Sequence, residues 1–270
     1  MHSAQSTSLS LSLFSRMQAF MRDAATASYE SIFSVLAPRH CVLCQQVLPE
    51  KHWSSFVCQA CFDAFPPAPP SESIMAVYRK QFPAESLRNE LPLGRIFARF
   101  SMAESLEEQG ATAMRHLVHL LKYHRLPSLG VELGAILGAW QMAHEAHHSY
   151  DALVPVPLHS ARARERGYNQ AEMLCNGVAS AMAHGSVICR ETNVIRRRNY
   201  TLSQTFLNAK ERATNLHNVI VRGKEAERIR GKRVLLVDDV CTTGTTLHYC
   251  ALALKEAGAA HVDALALAKA

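Results

Sequence analysis

Apolar residues recur along the chain with two different periods, and the alternation between them divides it into elements. Met114, Leu117, Val118 and Leu121 stand at i, i+3, i+4 and i+7, the buried stripe of a helix. An apolar stretch over Val131–His144 predicts a second helix, Asn169–His184 a third and Thr246–Ala257 a fourth. Between them lie apolar runs of strand length at Arg95–Met102, Ala152–Val156, Val234–Val237 and His261–Leu267. Strands alternating with helices predict an α/β fold, a mainly parallel sheet with flanking helices on both faces. Nearer the start, Leu13, Met17, Phe20 and Met21 share one helical face. Residues 1–38 therefore read as a polar start and an amphipathic helical extension. Its apolar face needs either the rest of the chain or a second protomer in a homodimer.

Composition adds limits. Of 270 residues, 48% are apolar and 19% charged, enough for a core and against disorder over most of the chain. No apolar run approaches the ~18 residues of a spanning helix, so no membrane span is expected. Only His2 precedes the Ser8–Phe14 stretch, and Arg16 and Arg22 interrupt the residues after it; this speaks against a secretory leader and for a cytoplasmic location. The net charge of +6 suits phosphate-bearing partners without establishing nucleic-acid binding.

Four of the eight cysteines form the series Cys41-x2-Cys44-x13-Cys58-x2-Cys61. Two thiolate pairs on two turns complete a tetrahedral shell around Zn2+ with no open position, the pattern of a structural zinc ribbon; free or redox thiols are the alternative. The expected organisation is thus a helical extension (1–38), a zinc ribbon (39–65), a linker over 66–72 marked by Pro66-Pro67-Ala68-Pro69-Pro70, and a larger domain over 73–270.

The strongest chemical signal is Val-Leu-Leu-Val-Asp-Asp-Val-Cys-Thr-Thr-Gly-Thr-Thr over 234–246. A buried strand delivers Asp238 and Asp239 to its carboxyl end, where open α/β sheets bind ligands. A loop of Thr242, Thr243, Gly244, Thr245 and Thr246 then enters a helix whose first amides attract an anion. Gly244 lets backbone approach a phosphate, and the threonine hydroxyls add donors. Carboxylates would repel that phosphate, so they suit sugar hydroxyls or a divalent cation. The bland alternative is a turn followed by a threonine-capped helix. A Walker loop is excluded, because no Gly-Lys-Ser/Thr stands at the required spacing.

This motif resembles the phosphoribosyl pyrophosphate motif of type I phosphoribosyltransferases. The resemblance implies that Asp238 and Asp239 hold the ribose diol with Mg2+, and that Thr242 to Thr246 cradle the 5-phosphate. Purine-salvage members carry an acid where this chain has Thr242, which points to an amine or an already anionic acceptor instead. Leu121-Lys122-Tyr123, Val154–Gln170, Arg198–Gln204 and Lys210–Asn215 are similar to the ComF family, which joins such a domain to a four-cysteine zinc module. That likeness runs from about Cys41 to the C-terminus. It implies a phosphoribosyl transfer that releases pyrophosphate, in a ComF-type role in DNA uptake and natural transformation alongside competence proteins. A non-catalytic metabolite sensor that binds single-stranded DNA is the alternative, although 7% aromatic residues offer no evident stacking platform.

Arg162, Arg164, Arg166 and Gly167 come after the Val154–Pro157 run and could hold pyrophosphate as its charge develops. A solvated helix face or an RNA-binding stripe would look the same. The polar segment Arg196–Asn215, with Arg196, Arg197, Arg198, Ser203, Gln204, Lys210 and Arg212, reads as a lid over a polyanion, and by resemblance as the catalytic flexible loop; an ordinary surface loop would look similar. His144, His147 and His148 have helical metal-site spacing without a well-placed acid, and read as surface.

Overall fold

The computed structural model describes residues 39–87, 89–103, 108–144, 149–182, 189–197 and 220–270. The 1–38 extension, His147, His148, Ser203, Gln204, Arg198, Lys210 and Arg212 lie outside them. The chain divides into two compact units between Phe62 and Asp63.

In the first unit, His40 and Val47 form a single antiparallel bridge and α1 covers Gln59–Asp63. Backbone bonds link Cys41 to Gln46, Val42 to Phe56, and Leu48 to Arg39. Ser54 Oγ accepts from the amides of Phe56 and Val57. Trp53 meets Phe62 edge-on at 4.8 Å.

The second unit begins along a sheet edge. The Pro66–Pro70 stretch, expected as a linker, runs beside β1 (Ile96–Ser101): Ser101 donates to Pro66 O and Ala68 to Arg99 O. Proline suits this outer position because one side of an edge strand needs no ladder donor. Helices α2 (Ser71–Gln81) and α3 (Pro83–Leu87) come next, an addition to the elements read from sequence. After β1 come α4 (Glu108–Tyr123), α5 (Pro127–His144), β2 (Ala152–Pro155), α6 (Ser160–Arg166), α7 (Gln170–Met182) and β3 (Cys189–Arg190). A two-stranded antiparallel ribbon, β4 (Ile195–Arg197) with β5 (Ile220–Arg222), flanks the arginine-rich segment. β6 (Arg233–Cys241), α8 (Thr245–Glu256) and β7 (His261–Lys269) complete the unit.

The main sheet has the order β1-β7-β6-β2-β3, and every neighbouring pair is parallel. Side chains alternate between the faces of a strand. Val234 and Leu236 of β6 join Ala264 and Ala266 of β7, Ile96 of β1 and the apolar side of α8 in one core cluster. Leu235, Val237, Leu265 and Leu267 point the other way and are equally buried, so both faces are covered. The expected α/β architecture is the one observed.

Helices α5 and α7 pack almost backbone to backbone. A Cβ on Gly134 would stand 2.1 Å from Leu174 O, and one on Gly177 would stand 1.9 Å from Val131 O. Both obstacles are backbone and cannot rotate away. Gly177→Ala is therefore expected to lower the unfolding free energy by about 3 kcal/mol, as overpacked cores do, in urea denaturation followed by circular dichroism.

Candidate phosphate and carboxylate site

β6 carries the acids. Its register places Pro155 opposite Val237, so Asp238 and Asp239 emerge just beyond the end of β2, at the carboxyl edge of the parallel sheet. The strand itself continues through Cys241, longer than its apolar run suggests, because β7 pairs with it to Lys269. Both acids are buried, at 8% and 5% exposure. Burial first, and the neighbouring charge of Asp239 second, push Asp238 well above the usual carboxylate range. Asp238 Oδ1 accepts from the Asp239 amide at 2.8 Å.

Asp239 Oδ2 stands 3.1 Å from Lys122 Nζ, at the last turn of α4. The ammonium lies off the hydrogen-bonding direction, so this buried oxygen has no aligned donor among the described residues. Carboxylates with spare acceptor capacity are the hard oxygen ligands that Mg2+ takes, and also suit sugar hydroxyls. The pair therefore fits a divalent cation.

The loop after β6 is short. Gly244 adopts φ 82°, in the left-handed region, and serves as the N-cap of α8 with no side chain capping the helix. Its Cβ position lies 3.1 Å from Tyr78 Cδ2, so a side chain is opposed by conformation and by space. Thr243 and Thr245 share a hydroxyl hydrogen bond of 2.8 Å, and Thr242 and Thr243 are exposed. Uncapped amides, hydroxyls and a positive helix end converge as an anion site requires. Behind the loop, Tyr78 Oη meets His248 Nδ1 at 2.8 Å and Phe82 stacks on the His248 ring. Cys241 is buried, and burial raises its thiol to about 11, which removes it as a nucleophile near neutral pH.

The arginines after β2 do not lie on an extended loop. His159 caps α6 by accepting from the Ala161 amide, and Gly167 ends it at φ 81°. In helical geometry Arg162 and Arg166 share a side while Arg164 turns away. Exposed Arg162 pairs with Glu165 at 3.2 Å; half-buried Arg166 lies over the Tyr123 ring, 5.0 Å from its centroid. A cavity of about 680 Å³ opens between α6 and the ribbon. From α6 and its cap it is lined by Ser160, Ala163 and Gly167, whereas its cations are Arg196, Arg197 and Lys224. The Arg197 Nε within this group has no hydrogen-bond partner among the described residues. Arg196 and Arg197 belong to the segment read from sequence as a lid over a polyanion, whereas Lys224 and Lys122 were not singled out for chemistry; of these two only Lys122 carried a signal, as the middle of Leu121-Lys122-Tyr123.

In the first unit, Cys41, Cys44, Cys58 and Cys61 bring their sulfurs within 4.8 Å of one another. Four ligands at ~2.3 Å around a tetrahedral ion stand ~3.8 Å apart, so the cluster fits Zn2+. No helix among the described residues is long and apolar enough to cross a membrane.

The chain is similar in sequence to several known proteins. The phosphoribosyl transferase domain family matches residues 172–270, which hold the acid pair and the threonine loop. Competence protein F of Haemophilus influenzae is 35% identical over 120 residues, 44% of this chain and 51% of that one. DNA utilization protein YhgH of Escherichia coli K12 is 28% identical over 239 residues, 86% of this chain and 97% of that one. The chain is a homologue of these competence and DNA utilization proteins, and it contains a phosphoribosyl transferase domain. Among solved structures, the glutamine phosphoribosylpyrophosphate amidotransferase of B. subtilis is 23% identical, with a TM-score of 0.35, over 51% of this chain and 26% of that one. The match to competence protein F spans about half of that relative's length, whereas the match to YhgH spans nearly all of it.

Proposed function

We propose that the 63–270 unit binds phosphoribosyl pyrophosphate with Mg2+ and transfers its phosphoribosyl group to a nucleophile. The observation that carries this reading is the acid pair itself: two buried carboxylates, one with an oxygen that no aligned hydrogen bond occupies, standing just before a left-handed glycine and an uncapped helix. Asp238 and Asp239 hold the ribose diol. Thr242, Thr243, Gly244, Thr245 and Thr246 hold the 5-phosphate. Mg2+, when bound, neutralises phosphate charge and orients the sugar beside the carboxylates.

The nucleophile's electron pair forms a bond to the anomeric carbon, while the bond to pyrophosphate breaks and its electrons leave with pyrophosphate. Positive charge gathers on the sugar as this happens, and buried carboxylates nearby stabilise it. Negative charge gathers on the leaving group. Arg162, Arg164, Arg166 and Gly167 are the residues assigned to it from sequence, with Arg198, Lys210 and Arg212; Arg196 and Arg197 of the same lid segment line the cavity, which adds Lys224. Thr242 cannot accept a proton as a carboxylate would, which favours acceptors that need no deprotonation. We assign Zn2+ to the four cysteines in a structural role, and a cytoplasmic location to the chain.

Titrating the full-length protein with phosphoribosyl pyrophosphate and Mg2+ in a calorimeter is expected to give one-to-one binding. Release of labelled pyrophosphate in the presence of candidate amines is the test of transfer. No heat and no release would reject the reading. A second reading is a sugar-phosphate sensor that holds single-stranded DNA; the relatives' names, which speak of competence and DNA utilization, are the reason to keep DNA in the test. Binding heat with DNA retention but no pyrophosphate release would select it.

A further inference from the structure

The tripeptide Leu121-Lys122-Tyr123 ends α4 and reaches three places at once. Leu121 O accepts from Tyr168 Oη, Lys122 Nζ sits 3.1 Å from Asp239 Oδ2, and the Tyr123 ring lies under the Arg166 guanidinium. Two of these contacts fix the helix end against the segment after β2. They leave the third side chain, the flexible four-carbon arm of Lys122, as the part that can move. Its ammonium, carried on a side chain that is 24% exposed, is the only ion-pair partner of the two acids among the described residues.

The lysine occupies a position that a ligand must want. A diol or a divalent cation needs the same Asp239 oxygen, which lacks an aligned donor. A divalent cation and an ammonium cannot both sit within a few ångströms of one oxygen without strong repulsion in a buried setting. An arriving sugar phosphate carries several negative charges into reach of the displaced ammonium, which then has a better partner than one carboxylate.

We infer that Lys122 is the resident counter-ion of the Asp238–Asp239 pair, displaced by the ribose diol and its divalent cation and transferred onto the phosphate groups of the same ligand. This rests on the sugar-phosphate reading of the site. The lysine acts twice. Without ligand it neutralises a buried carboxylate that would otherwise stand uncompensated. With ligand it becomes a phosphate contact that leaves the threonine loop and the arginines unchanged. It also opposes premature binding of a bare cation, since metal without phosphate displaces the ammonium and offers it nothing in return.

The test uses the full-length zinc-loaded protein, with Mn2+ as the probe. Lys122→Gln is expected to bind Mn2+ alone about tenfold more tightly than wild type, and phosphoribosyl pyrophosphate with Mg2+ about tenfold more weakly, couplings of ordinary size for interacting sites. Lys122→Arg keeps the charge and should track wild type in the Mn2+ titration. Amine acylation read by mass spectrometry serves as the second measurement and needs no variant. Mn2+ should speed the labelling of Lys122 in the wild-type protein, and added phosphoribosyl pyrophosphate should suppress it. Equal Mn2+ affinities in wild type and Lys122→Gln, no Mn2+ bound by either, or labelling indifferent to Mn2+, would each overturn the counter-ion role. Equal sugar-phosphate affinities in wild type and Lys122→Gln would overturn the transfer onto phosphate while the sugar reading stands. If wild type takes up no phosphoribosyl pyrophosphate, the functional reading falls, and a Mn2+ split as expected still supports the counter-ion half.

Discussion

Replacing any one of Cys41, Cys44, Cys58 or Cys61 by serine is expected to abolish metal retention and to unfold the segment around the cluster. Residues 39–62 hold little else that could order them. Their regular structure is one bridge and the short α1. The apolar side chains buried beyond the cysteines are Leu48 and Val57. A described segment this short falls below the ~40 residues at which a chain folds without metal or disulfide. Apparent binding of structural Zn2+ is worth about 10–16 kcal/mol at neutral pH, a scale that no local hydrogen bond approaches. The thiols also demand a cation. Burial raises Cys58 and raises Cys61 further, and in both the neighbouring Cys44 adds to the rise. At Cys41 burial is outweighed by amides of Cys44, Cys58 and Leu43, which together bring it down to about 7. Four thiolates this close cannot coexist without positive charge between them. Acidification protonates the ligands, so metal should be retained at neutral pH and lost as pH falls. The checks are metal content after dialysis and the emission of Trp53, whose packing on Phe62 should be lost with the metal. A Cys44→Ser variant that keeps stoichiometric zinc and native Trp53 emission would defeat this account.

That cluster was legible because ligand chemistry imposes spacing directly on the sequence. The acid pair and threonine loop were legible for a similar reason: strand, carboxylates, glycine and helix succeed one another without interruption, so local order mirrors spatial order. Elements with several apolar turns or a buried run, such as α4, α7 and β7, show their period plainly. Other features had no local signal. β3, β4 and β5 are two or three residues long, too short for a period to register. α6 was obscured by alternate arginines, which look like period two although His159 and Gly167 bound a helix around them. The ion pair between Lys122 and Asp239 joins residues remote in sequence. Nothing in either neighbourhood specifies the other; the sheet order and the placement of α4 bring them together.

Asp238→Asn and Asp239→Asn are each expected to weaken phosphoribosyl pyrophosphate binding by about a hundredfold, yet to move stability in different ways. Each change removes a charged acceptor; hydrogen bonds to charged groups contribute about 1.5–3 kcal/mol, and tenfold in affinity is about 1.4 kcal/mol. Stability separates them because, among the described residues, only Asp239 makes an ion pair, with Lys122. Asp238 is raised by burial and by the charge of Asp239, so its ionised form is disfavoured in the folded protein. The native state then binds more protons than the unfolded chain at pH values above the ordinary carboxylate range. Wild-type stability must therefore decline as pH rises from that range towards the folded-state value of Asp238. Asp238→Asn loses this decline and should be the more stable protein at pH 8, the usual relation between a binding site and the strain it carries. Asp239→Asn also removes the repulsion, but leaves Lys122 without its partner, so its net gain should be smaller. Urea denaturation at pH 5 and pH 8, with calorimetry on the same preparations, measures both effects. Retained affinity in either variant would take that acid out of the ribose site. Equal pH dependence in wild type and Asp238→Asn would show that the buried pair is not under electrostatic strain.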